Sequence, residues 1–160
     1  MSHKMSLVEK LYTEEVVSRI KDIDFEYGAN VGPYVVELDP TASCDLACPG
    51  CISEDVIATG GRISNERLIS LGNELVEAGV RGVILIGGGE PLLHPKIGHF
   101  MELLFENDVH IGITTNGTFI DKYLNIISKA AAWTRVSMDA GSDGLFNILR
   151  PSKKGGSQFK

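Results

Sequence analysis

Val83-Ile84-Leu85-Ile86 is a continuous apolar run, and it is broken at once by Gly87-Gly88-Gly89. A run this short has no polar face. It fits a strand covered on both sides, the situation of a strand inside a parallel sheet. Parallel neighbours cannot be joined by a tight turn and need a crossover, usually a helix. That requirement fixes how the rest of the chain must be organised.

The flanking sequence supplies the crossovers. Tyr34–Leu38 is short and β-rich and reads as a first strand. Ser64 reads as the N-cap of a helix running to about Ala78, with Leu68, Leu71, Leu75 and Val76 as its apolar stripe and Gly79 as its stop. After the second strand, Ile97, Phe100, Met101, Leu104 and Phe105 follow helical spacing over about 95–106. Val109–Thr114 reads as a third strand, 120–131 as a helix using Tyr123, Leu124, Ile127 and Ala131, and Thr134–Met138 as a fourth strand. Gly144–Leu149 reads as a short helix. Upstream, 6–21 reads as an amphipathic helix on Leu7, Leu11, Val17 and Ile20, and 22–33 as a loop. The predicted class is α/β. Right-handed crossovers bring the C-terminal ends of all four strands to one rim, where parallel βα architectures build their sites.

The residues capable of chemistry fall just after the strands. Cys44, Cys48 and Cys51 are the only cysteines of the chain and follow the first strand. An odd number so close together is no disulfide framework and points to metal or redox chemistry. Three thiolates converging from one loop suit an iron–sulfur cube with one iron left open. A Cys3His zinc site with His94 or His99 as fourth ligand is the alternative, although only Cys48 and Cys51 have the usual C-x2-C spacing. Gly88, Gly89 and Glu90 follow the second strand; the glycines present backbone and Glu90 presents charge, both suited to a cationic amino group. Asn116 follows the third strand, within a plain Asn-Gly turn signal. Ser137 and Asp139 close the fourth. The other histidines read as structural or exposed, and Trp133 as packing.

Cys-x3-Cys-x2-Cys after a first strand, followed by Gly88-Gly89-Glu90-Pro91 and Thr115-Asn116-Gly117, resembles the radical S-adenosylmethionine (SAM) superfamily. The resemblance covers about 34–150. It implies a partial TIM-like (β/α) barrel with parallel strands, with about four βα units present of the usual six. It implies a [4Fe–4S] cluster on Cys44, Cys48 and Cys51 whose fourth iron chelates the amino and carboxylate groups of SAM. Reductive cleavage then gives a 5′-deoxyadenosyl radical that abstracts hydrogen from an organic substrate, the work of an oxidoreductase or lyase. Gly88, Gly89, Glu90, Asn116, Ser137, Asp139 and Arg150 are the cofactor-binding positions it implies, with Arg150 resembling a basic residue that holds the SAM carboxylate. Gly50 stands where many members carry an aromatic residue near the adenine, a contact left to Ile52 or another side chain. Alternatives are a non-catalytic iron–sulfur and SAM-binding half barrel, or a zinc-binding structural module.

Composition bounds the partners. A net charge of −6, without a long Lys/Arg run, argues against nucleic acid as a primary partner. No apolar run approaches the roughly 20 residues that span a bilayer, and the start lacks a signal-peptide pattern, so a cytoplasmic protein is expected. The expected partners are SAM, a small-molecule or peptide substrate, and an electron donor such as flavodoxin or ferredoxin. The domain reading is 1–33 as lead-in, 34–150 as core and 151–160 as a polar tail, with the chain a truncated portion of a longer enzyme.

Overall fold

The computed structural model describes residues 13–23 and 32–159. Strands β1 (Val35–Leu38), β2 (Gly82–Leu85), β3 (His110–Thr115) and β4 (Ala131–Val136) form one sheet in that order. Every neighbouring pair is parallel. The helices are α1 (Glu14–Lys21), α2 (Glu54–Thr59), α3 (Asn65–Glu77), α4 (Ile97–Glu106), α5 (Ile120–Ala130) and α6 (Asp143–Leu149). The α/β class and the parallel order are as the apolar runs required. The expected helix over 6–21 is present from Glu14; 6–12, and 24–31 of the expected loop, lie outside the described residues.

Ser64 caps α3 by accepting from Arg67 N–H, which satisfies one of the orphan donors of the first turn. Leu68 and Leu75 of α3 and Ile97, Phe100, Met101 and Leu104 of α4 pack against Val83, Leu85, Ile111 and Ile113 of the sheet. Full burial of each such side chain is worth about 1.5–3 kcal/mol, so this layer holds the strand ends in place. Among the described residues, no helix is long and apolar enough to cross a membrane.

Two elements differ from expectation. The fourth strand begins at Ala131, three residues earlier than read, because Ala131 already pairs with Ile111 and, after a register shift, Trp133 pairs with Gly112. A Cβ on Gly112 would stand 2.3 Å from Trp133 Cζ2, so the missing side chain is what admits the indole. Trp133 is therefore packing, as read. β4 is one of the two edge strands, with β1 the other, and stays exposed from Ala132 to Val136. The second difference is α2, which follows the cysteines directly and was not foreseen.

Candidate metal centre

The cysteine loop leaves β1 at Asp39 and is fastened by backbone bonds along its length. Ala42 N–H donates to Gly61 O at 2.8 Å, Ile63 N–H to Pro40 O at 3.1 Å and Glu90 N–H to Ser43 O at 2.8 Å. Within it, Cys51 N–H donates to Cys48 O at 3.2 Å. Leu46, between the first two cysteines, is only 2% exposed and anchors the loop in the interior.

The glycine run is shaped by this loop. A Cβ on Gly87 would lie 2.1 Å from Asp39 Oδ1, one on Gly88 2.4 Å from Val56 Cγ1, and one on Gly89 2.2 Å from Ser43 O. All are far inside van der Waals contact, so the three glycines let the end of β2 lie directly on the cysteine loop and α2. Asp39 completes the join by accepting from Gly88 N–H at 2.6 Å. Sequence reasoning gave Asp39 no role; its acidic type ahead of the cysteine loop was the available signal.

Glu90 is 2% exposed. Its Oε1 accepts from Thr115 Oγ1 at 2.7 Å and Leu92 N–H at 3.1 Å, and its Oε2 from Asn116 N–H at 2.7 Å. Burial pushes its carboxyl above the usual range, and the bonds from Asn116, Thr115 and Leu92 pull it back. The side chain thus ties the end of β2 to the end of β3. Asn116 carries the tie onward: Nδ2 donates to Asp45 Oδ1 at 2.9 Å and lies 3.9 Å from Cys44 Sγ.

One cleft collects these groups. Cys44, Cys48 and Cys51 line it, with Gly88, Gly89, Glu90, Asn116, Ser137 and Arg150. Asp139 does not line it; half exposed, it pairs with Arg150 NH2. Arg150 NH1 lies 4.0 Å from Cys48 Sγ. Ile52 is fully exposed, while Ile57 of α2 lines the cleft. Ser53, Leu46 and Thr114 also line it and were missed by sequence reasoning. The cleft is small, about 140 Å³. A larger hollow of about 630 Å³ opens at the other end of the sheet, between Glu15, Arg81 and Lys129, but no thiol reaches it.

The donor set fits a cluster with a polar ligand beside it. Arg150 Nε and Thr114 Oγ1 are buried without a protein partner, and both residues face this cleft. Buried polar atoms are rarely left so, and a bound group would satisfy them. Burial pushes the Cys44 thiol up, opposed by a backbone bond at Leu46 and reinforced by Asp45. Burial also raises Cys48, with Arg150 opposing. Metal ligation therefore releases protons here. A zinc site completed by His94 is not formed, because His94 is fully buried with Nε2 2.8 Å from Ile63 O and Nδ1 accepting from Lys96 N–H at 3.2 Å. His99 sits exposed on α4, outside the cleft. Among the described residues, no three His, Cys, Asp or Glu side chains converge on a single-ion position.

The family model of the Radical SAM superfamily matches residues 38–159. This chain belongs to the radical SAM superfamily. A probable GTP 3′,8-cyclase of Archaeoglobus fulgidus is 37% identical over 100 residues, covering 62% of this chain and 33% of the relative. The mycofactocin maturase MftC of Mycobacterium ulcerans is 26% identical over 135 residues, covering 84% and 36%. Streptococcus suis SuiB, solved with its precursor peptide SuiA, superimposes with a TM-score of 0.62 at 20% identity over 92% of this chain and 34% of that one. That likeness shows the shared radical SAM fold. The chain spans about a third of the length of these relatives.

Proposed function

We propose that this protein is a radical SAM enzyme, or a portion of one, that holds a [4Fe–4S] cluster on Cys44, Cys48 and Cys51. The observation that carries this reading is that all three cysteines of the chain line one cleft with the glycine run, Asn116, Ser137 and Arg150. When bound, the cluster and SAM supply reductive cleavage of the sulfonium and hydrogen abstraction from an organic substrate.

The chain's own residues divide the remaining work. Gly88 and Gly89 bring backbone within reach of the SAM amino group. Glu90 fixes that backbone against β3 through its three donors. Arg150, whose Nε lacks a protein partner, takes the SAM carboxylate, and Asp139 orients the guanidinium. Ser137 and the unpartnered Thr114 hydroxyl serve the remaining polar groups of SAM. Asn116 acts on the cofactors through Asp45 and Cys44. Ile57 supplies apolar surface to the adenine. The relatives' names join nucleotide and peptide chemistry, so a small molecule and a peptide both stand as substrate classes. A flavodoxin- or ferredoxin-type donor in the cytoplasm would supply the electron.

Anaerobic reconstitution with iron and sulfide tests the reading, with iron content and the EPR spectrum recorded with and without SAM. The expected result is a reduced [4Fe–4S] signal that changes when SAM is added. A cluster indifferent to SAM would leave the cysteine loop without its cofactor pocket, and zinc in place of iron would overturn the proposal.

A further inference from the structure

The cysteine loop is also gripped by a segment far along the chain. Ala47 N–H donates to Pro151 O at 2.8 Å, and Lys153 N–H donates to Asp45 O at 2.9 Å. Between them, Leu46 and Ser152 pair as an antiparallel bridge. Arg150, which leads into this segment, reaches Cys48 across 102 positions. Beyond it, the chain is held back on α6 by the Phe146 and Phe159 rings, whose centroids lie 5.6 Å apart. Residues 151–153, which composition alone marked as a polar tail, thus pair with the cysteine loop through one isolated antiparallel bridge and two backbone hydrogen bonds.

The grip falls at an informative place. The Asp45 carbonyl directly follows Cys44, and the Ala47 amide directly precedes Cys48. Fixing those two groups fixes the backbone between the first two ligands. Cys51 lies outside the grip, past a turn in which Gly50 has φ +70°. A loop that must order itself when it binds loses affinity to conformational entropy, and one already ordered does not.

We propose that Pro151–Lys153 is a strap that holds the cysteine loop in its ligand-binding form, so that its backbone governs how long a cluster is retained. The inference rests on the cluster reading above. It concerns a positioning element that acts through main-chain groups; the Lys153 side chain is exposed and borders, with the three cysteines, a second hollow of about 340 Å³, so the side chain and the N–H must be tested separately. The Lys153 N–H is therefore the group to remove. Lys153→Pro deletes that donor, and proline is tolerated after a residue in extended conformation such as Ser152. Lys153→Ala keeps the donor and removes only the side chain.

The wild type, K153A and K153P are reconstituted anaerobically, and the rate at which a chelator strips iron is measured for each. Amide exchange at Ala47 and thermal melting are recorded on the metal-free forms. K153A should behave as wild type. K153P should lose iron roughly five- to tenfold faster, as removal of one backbone hydrogen bond implies. Its Ala47 amide should exchange faster while its melting temperature stays close to wild type. Equal iron loss in K153P and wild type overturns the strap, as does equal acceleration in K153A. If the wild type takes up no cluster, the cluster reading fails instead, and unchanged Ala47 exchange in K153P then overturns the strap independently. Should K153P fail to fold, the wild type decides: cluster loading must raise protection at the Lys153 amide, and unchanged protection there overturns the proposal.

Discussion

Asn116 Nδ2 donates to Asp45 Oδ1 at 2.9 Å and so fastens the end of β3 to the residue after the first cysteine. Its own backbone N–H is held by Glu90, and its Oδ1 accepts from Thr118 N–H and Oγ1 at 2.9 and 2.8 Å. With both ends of the amide engaged, the side chain has no freedom to swing away. Asn116→Ala removes a hydrogen bond to a carboxylate, worth about 1.5–3 kcal/mol when well shielded and less at this half-buried site. The expected outcome is a cysteine loop that loses iron to a chelator several-fold faster, with a modest fall in urea midpoint. Asn116→Asp should be worse than Ala, since it sets a second carboxylate against Asp45 and beside Cys44.

Glu90 predicts a pH dependence whose sign can be worked out. Its carboxyl is raised above the ordinary 4.5 by burial. The unfolded chain therefore ionises first as pH rises, and the folded state lags behind. The contribution of Glu90 to stability is present below pH 4.5 and is lost as pH climbs through the raised value. Glu90→Gln cannot ionise, but it turns an amide donor towards a site that needs an acceptor, at a cost of about 1–3 kcal/mol. In the metal-free protein the advantage of wild type over E90Q should therefore shrink from pH 4 to neutrality, measured by urea unfolding across that range. An advantage that grows with pH would mean the three donors outweigh burial.

Gly112 offers a spectroscopic check on the β3–β4 register. Trp133 is the single tryptophan of the chain, so its fluorescence reports this contact alone. Gly112→Ala places a methyl where Trp133 ring atoms stand 2.3 and 2.5 Å away. The indole must leave the strand surface. The expected outcome is a red-shifted emission maximum and a loss of about 1–3 kcal/mol from overpacking. An unshifted spectrum would contradict the pairing of Gly112 with Trp133.

The sheet was legible because β2 carries an unbroken apolar run that fits no half-exposed element, and because Val109, Ile111 and Ile113 fall at alternate positions leading into and along β3. The start of β4 was not, because Ala130 and Ala131 pass from helix to strand without a turn residue, and the β3–β4 register shifts between Ile111 and Gly112. α2 escaped because six residues are too few to show helical periodicity. For the site, the sequence named the residue types but not their neighbours. The cysteines and Gly88–Glu90 stand out locally, whereas Asp39 and the strap at 151–153 matter through backbone groups from distant parts of the chain. Ile57 rather than Ile52 faces the cleft because Ile57 lies within α2 and Ile52 lies ahead of its N-cap Ser53, exposed. The relations that composition cannot express are those made by main-chain atoms.

The glycine run supplies a graded test of that last point. A methyl on Gly89 meets the carbonyl oxygens of Ser43 and Thr41 at 2.2 and 2.5 Å, main-chain atoms of a loop fixed at both ends. A methyl on Gly88 meets chiefly the Val56 side chain, with Cγ1 at 2.4 Å. Backbone cannot yield without moving the cysteines, but a valine can be cut back. Gly89→Ala should abolish iron uptake in reconstitution. Gly88→Ala should reduce it, and adding Val56→Ala should restore most of the loss, because the second change opens the space that the first one fills. The two single changes and the double change form a cycle, and adjacent groups are expected to couple by about 0.5–3 kcal/mol. Iron per chain and urea midpoint, measured on all four proteins, give that coupling directly. Additive effects would show that α2 does not rest on the glycine run, and full recovery in the double variant would show that Val56 is the contact that demands glycine at 88.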